Sequence, residues 1–226
     1  MPKKFDQELD ALKQDVLHMG NQAEAMIRDA MAALVNREEA IIQEVLRREE
    51  ELDRAQVLID DHVVRLIVTH APVAQDLRIL LMVARINSEL ERIGDQAVNI
   101  CENVRLLLGV PPLKPLVDLP RMSEITQGLV HGGLLSFMEG SPDRALDTIR
   151  SDDQVDALND QIFRELLTYM VADPKNIPRA LALILTARSL ERIADHATNI
   201  CEEVVYMVKG QDIRHQGAMK GGKPPA

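Results

Sequence analysis

LERIGDQAVNICENV (Leu90–Val104) and LERIADHATNICEEV (Leu190–Val204) are one tract written twice, one hundred positions apart and without a gap. Eleven of the fifteen positions are identical, and they include Glu91/Glu191, Arg92/Arg192, Asp95/Asp195, Asn99/Asn199 and Glu102/Glu202. Helix propensity could repeat the leucines, but it has no reason to repeat a particular series of carboxylates and amides. The chain is therefore a tandem duplication that presents one acidic stripe twice.

Punctuation and periodicity predict six helices. Leu9, Leu12, Val16, Met19, Ala23, Met26 and Ala30 recur at three- and four-residue spacing, which marks a first helix over about 6–35. Asn36 with Glu39 reads as a capping box that opens a second helix, which must stop before Pro72. A third helix follows from about Val73 to Leu108, with Gly109 as its C-cap. Four prolines in GVPPLKPLVDLP (Gly109–Pro120) forbid a helix there and make it the link between halves. A fourth helix is expected over about 121–139. The Ser141-Pro142 start signal opens a fifth that reaches about Val171, and Pro178 opens a sixth that ends near Gly210. The expected architecture is all-α, two tandem pseudo-symmetric antiparallel three-helix bundles. Its parts are 1–109, the linker 110–120, 121–210, and a frayed tail 211–226.

Composition agrees and narrows the function. The chain of 226 residues has no Trp, 2 Tyr and 3 Phe, so aliphatic side chains must fill the interior, as suits packed helices. A formal net charge of −10 argues against nucleic acid as a partner, because neutralising phosphates needs a basic face. Cys101 and Cys201 take equivalent places inside predicted helices and read as small packing residues, not a disulfide framework. The apolar runs are too short to span a bilayer and Met1–Asp15 is charged throughout. The expectation is a cytoplasmic protein that meets membranes only through partners.

The stripes carry the chemistry. Glu91 and Asp95 stand four apart on one helix face, as do Glu191 and Asp195. The same spacing recurs on the middle helix of each half, as Glu49 with Asp53 and Asp152 with Asp156. Antiparallel packing would bring two pairs together in each half. Like charges so placed repel, and a hard multivalent cation with oxygen ligands is the natural compensation. The competing reading is a solvated, salt-bridged face, since Arg92 lies three residues from Glu89 and Asp95, and Arg188 three from Glu191. A ferritin-like di-iron site would need Glu-x-x-His on paired helices, which no helix offers, and His196 reads as a surface residue. Gly-rich phosphate loop, nucleophile elbow and Cys/His zinc spacing are all absent, so no enzyme is expected.

The two tracts, the opening of the third helix (Ala74, Asp76, Leu77, Arg78), and Tyr206–Gly210 followed by Gln211, Asp212, Ile213, Arg214 and His215 resemble the PhoU family of bacterial phosphate-signalling accessory proteins. The resemblance spans nearly the whole chain, with Ala194 standing where the first copy has glycine and Gln96 where the second has histidine. It implies two three-helix bundles whose Glu/Asp-x-x-x-Asp motifs hold metal. The ligands would be Glu49, Asp53, Glu91 and Asp95, then Asp152, Asp156, Glu191 and Asp195. The ions would be divalent or trivalent: iron, zinc, manganese or magnesium. It also implies negative regulation of phosphate uptake and of the phosphate-starvation response. The partners would be the ATPase subunit of the phosphate ABC transporter, a sensor histidine kinase and a second copy in a homodimer. The runner-up is a metal-dependent enzyme or metal store built on the same carboxylates.

Overall fold

A computed structural model describes residues 4–214. The described residues hold six long helices, one short one, and no strand: α1 (Lys4–Asn36), α2 (Glu39–His70), α3 (Gln75–Leu108), α4 (Asp118–Glu139), the short α5 (Pro142–Arg150), α6 (Asp153–Ala172) and α7 (Ile177–Lys209). A single 3₁₀ turn, Pro174–Asn176, joins α6 to α7. Helices α1, α2 and α3 pack mutually as one bundle, and α4, α5/α6 and α7 as the other. The broadest packing joins α3 to α7, so the two copies of the repeated tract form the seam between the bundles. Arg85 meets Glu203 while Glu89 meets Asn199, so the numbering runs in opposite senses along the pair and α3 and α7 are antiparallel.

The core runs through both bundles as one cluster. Leu12, Met19, Met26, Leu52, Leu80 and Leu90 of the first bundle are fully buried, as are Val155, Leu190 and Ile193 of the second. Unbranched methionines fill irregular gaps that a core nearly without aromatics would leave. Phe137, only 1% exposed, is the largest fully buried side chain. Cys101 and Cys201 lie in this core, and burial pushes both thiols up to about 12, so they are packing residues.

Several helix ends differ from the sequence reading, each for a local reason. Asn36 is the last residue of α1, and Glu38 precedes α2 without a side-chain cap, so the expected capping box does not form. The turn instead hinges on Arg37, at φ 60°. Its guanidinium donates to the carbonyls of Leu107 (2.7 Å), Leu108 (2.9 Å) and Val110 (2.6 Å), and so caps the end of α3. Helix α4 starts three residues earlier than expected, because Pro120 falls in its first turn, where a missing N–H costs nothing. The expected fifth helix is two. At Ser151 and Asp152 the backbone bonds shorten to i→i−3 (Ser151 N to Thr148 O 3.0 Å, Asp152 N to Ile149 O 3.2 Å), a 3₁₀-like joint.

The link between the halves is tied down. Leu113 and Leu116 pack against the core, and Lys114 pairs with Glu165 of α6. The start of the expected tail is ordered as well. Gly210, at φ 66°, ends α7 beneath the Arg78 guanidinium, Ile213 packs on the core, and Arg214 reaches Glu203 (3.3 Å). The rest of that tail, His215 included, lies outside the described residues. No helix among the described residues is long and apolar enough to cross a membrane.

Candidate metal centres

Each bundle carries a groove between its last two long helices, and the eight acids lie along these grooves. In the first, α2 supplies Glu49 and Asp53 and α3 supplies Glu91 and Asp95. In the second, α7 supplies Glu191 and Asp195, while Asp156 sits in the first turn of α6. Asp152 is not inside a helix, as the sequence reading had it, but at the joint between α5 and α6. The copies match in depth: Glu49, Glu91, Asp152 and Glu191 are half-buried, and Asp53, Asp95, Asp156 and Asp195 are exposed.

Electrostatics shows that the pairs face each other across the grooves. Burial and then Asp53 and Asp95 raise the Glu49 carboxyl above its ordinary value. Burial followed by Asp95 and Asp53 does the same to Glu91, and burial with Asp53 to Asp95. In the second bundle, burial together with Asp156 and Asp195 pushes Asp152 up to about 6. Burial raises Asp156, with Asp153 and Asp160 adding to it, and Glu191 and Asp195 are lifted by burial and by Asp156 among their neighbours. Carboxylates that raise one another's pKa repel one another.

The salt-bridged face is not what forms. Arg92 turns to Glu89 (3.0 Å), and none of the eight acids has an ion pair among the described residues. Arg92, Arg188, Arg192 and His196 offset this charge only from a distance, and each groove holds closely spaced carboxylates that burial and mutual repulsion raise on balance. Hard carboxylate oxygens are the donor set that Mg²⁺, Mn²⁺ or iron prefers. Among the described residues, no three His, Cys, Asp or Glu side chains converge as they would around an ion.

The sequence reading missed the polar seam. His196, read as a surface residue, is half-buried, and its Nδ1 lies 2.8 Å from a Glu89 oxygen that also accepts from Asn199 (3.0 Å). Burial works to raise the Glu89 carboxyl, but the bonds from His196 and Asn199 outweigh it and hold the group low. A second carboxylate, Glu203, is buried between Arg85 (3.2 Å) and Arg214 (3.3 Å). The available signal was difference, not identity: Glu89 corresponds to Ser189 in the other copy, and Glu203 to Asn103.

Comparison with known proteins gives the same two units. The PhoU domain model matches residues 16–104 and 119–204. The phosphate-specific transport system accessory protein PhoU of Escherichia coli K12 is 36% identical over 214 residues, covering 95% of this chain and 89% of that one. The homologue of that protein in Aquifex aeolicus VF5 is 38% identical over 220 residues, covering 97% and 100%. The crystal structure of PhoU from Pseudomonas aeruginosa superposes with a TM-score of 0.88 at 33% identity, over 92% of this chain and all of that one. The phosphate transport system regulatory protein PhoU from Streptococcus pneumoniae, at 24% identity and a TM-score of 0.85, shares the fold. Two domain matches that fall on the two bundles, and relatives alike from end to end, leave one assignment: the chain belongs to the PhoU family.

Proposed function

We propose that this protein is a non-enzymatic negative regulator of phosphate uptake and of phosphate-starvation gene expression. It works in the cytoplasm as an adaptor, reaching the membrane only through the ATPase subunit of the phosphate ABC transporter and a sensor histidine kinase. It acts as a homodimer, and each carboxylate quartet takes divalent or trivalent metal ions such as iron, zinc, manganese or magnesium. The observation that carries the reading is that this chain holds both domain copies and matches, over nearly its whole length, relatives named accessory proteins of phosphate transport. An enzyme or metal store on the same acids is disfavoured by their place. Ferritin-like chemistry places its carboxylates inside the bundle, whereas Asp53, Asp95, Asp156 and Asp195 lie exposed outside the apolar core.

The test of the partners is affinity capture of the tagged full chain from cells grown in high phosphate. The transporter ATPase and the kinase should both be enriched over a tagged unrelated helical protein. Recovery of neither, from cells where both are expressed, would contradict the adaptor reading.

A further inference from the structure

Duplication provides an internal comparison at the seam. Because α3 and α7 run antiparallel, each contact on one flank has a counterpart on the other with the copies exchanged. On the first flank Glu89 meets Asn199, and Glu203 meets Arg85. Their counterparts on the second flank are Ser189 with Asn99, and Asn103 with Leu185. All four of these line one open cavity of about 280 Å³, together with Glu102, Arg188 and Arg192.

Charge differs sharply between the flanks. The two carboxylates that seal the first flank are a serine and an asparagine on the second. Arg92, neutralised by Glu89, has as its copy Arg192, which has no such acid beside it. Arg188 adds a further cation where the first copy has Ser88. Glu191 and Asp195 act on these guanidiniums from a distance, but neither arginine makes a hydrogen bond or ion pair among the described residues. Supply is no constraint, since the chain holds 36 Asp and Glu against 26 Lys and Arg. Two guanidiniums one helical turn apart on the same face repel, and an anion between them removes that cost.

We propose that this cavity is an oxyanion site that takes hydrogen phosphate between Arg188 and Arg192. The two planar forks bind its unprotonated oxygens. The Ser189 hydroxyl and the Asn99 and Asn103 amides are the neutral donors. One amide hydrogen of each asparagine is engaged already, Asn99 with Gln96 (3.3 Å) and Asn103 with the Asn99 carbonyl (2.8 Å), and the other is left for the ligand. Among the described residues, Glu102 is the only acid lining the cavity, and it opposes a bare anion. It favours a tetrahedral oxyanion that retains a proton, because the P–OH donates to its carboxylate. Sulfate has no proton to offer at neutral pH, and a phosphomonoester puts its substituent in that place.

Equilibrium dialysis of the purified full chain against inorganic phosphate tests this, with sulfate and a phosphomonoester as competitors and with EDTA as a separate arm. One phosphate per chain should bind, unaffected by EDTA, with both competitors weaker. Arg192→Gln should weaken binding by about tenfold or more, the scale of a lost charge-assisted bond. Ser189→Glu, which restores the first copy's carboxylate beside Arg192, should do the same while the helical circular dichroism is unchanged. Glu102→Gln should narrow the gap between phosphate and sulfate. Absence of saturable binding at millimolar phosphate, binding unchanged in both the Arg192 and Ser189 variants, or binding abolished by EDTA would each overturn the proposal. The regulatory reading is tested in cells and through partners, so it stands or falls separately.

Discussion

Phe137→Ala is expected to destabilise the protein by about 3–5 kcal/mol, the usual cost of truncating a fully buried aromatic residue. The side chain is 1% exposed and sits on α4, which packs against α1 of the first bundle as well as α5, α6 and α7 of the second. A cavity beside it is lined by Lys13 and Ile79 from the first bundle and Met207 from the second. The loss should therefore be felt across the seam, and urea unfolding followed by circular dichroism should show one transition moved to lower denaturant. Phe163→Ala, at a residue 49% exposed, should shift stability by only about 0.5 kcal/mol or less. Two separate transitions, of which Phe137→Ala moves one, would show that the bundles do not share a core.

The second large effect is expected at the grooves. Asp95→Asn with Asp195→Asn preserves shape and removes one charge from each quartet, so metal affinity should fall by about a hundredfold or more. Elemental analysis of the purified double variant should find the metal gone and the helicity intact. The acids compete for protons as well as metal. Asp152, raised to about 6, begins to protonate as pH falls through that value, so uptake in the second bundle should decline from pH 7 to pH 5. Without metal the linkage has the opposite sign. Between about 6 and its ordinary value of 3.8, Asp152 binds a proton that the unfolded chain does not. The repulsion it contributes to the folded state is thus relieved as pH falls through about 6. Metal retained by the double variant, or never acquired by the wild type, would leave the stripes as a hydrated charged face.

Much of this fold was written in the repeat. Identical positions in Leu90–Val104 and Leu190–Val204 identified the duplication, and Gly109–Pro120 separated the halves. Acids from the two helices of each half do act on one another, Asp53 on Asp95 and Asp156 on Asp195, although no three of them converge among the described residues. What was not legible is equally physical. The break at Ser151–Asp152 involves neither proline nor glycine and is a change of hydrogen-bond register, which side-chain periodicity does not report. The Arg37 cap joins residues about seventy positions apart, beyond any local signal. Above all, the two seam carboxylates stand where the copies disagree, and a reading led by identity passes over Glu89/Ser189 and Asn103/Glu203. The start of the expected tail was misjudged because its apolar anchor among the described residues is the single Ile213, too little to stand out in a Gly- and Lys-rich stretch, and an ion pair joins Arg214 to Glu203.

Restraint of the phosphate-starvation response by this chain is read out by reporter activity from a phosphate-starvation promoter in phosphate-replete medium, measured in a clean deletion strain with and without the gene restored. Expression should be high and constitutive in the deletion and repressed on restoring the full chain. Normal repression without the gene would contradict that restraint.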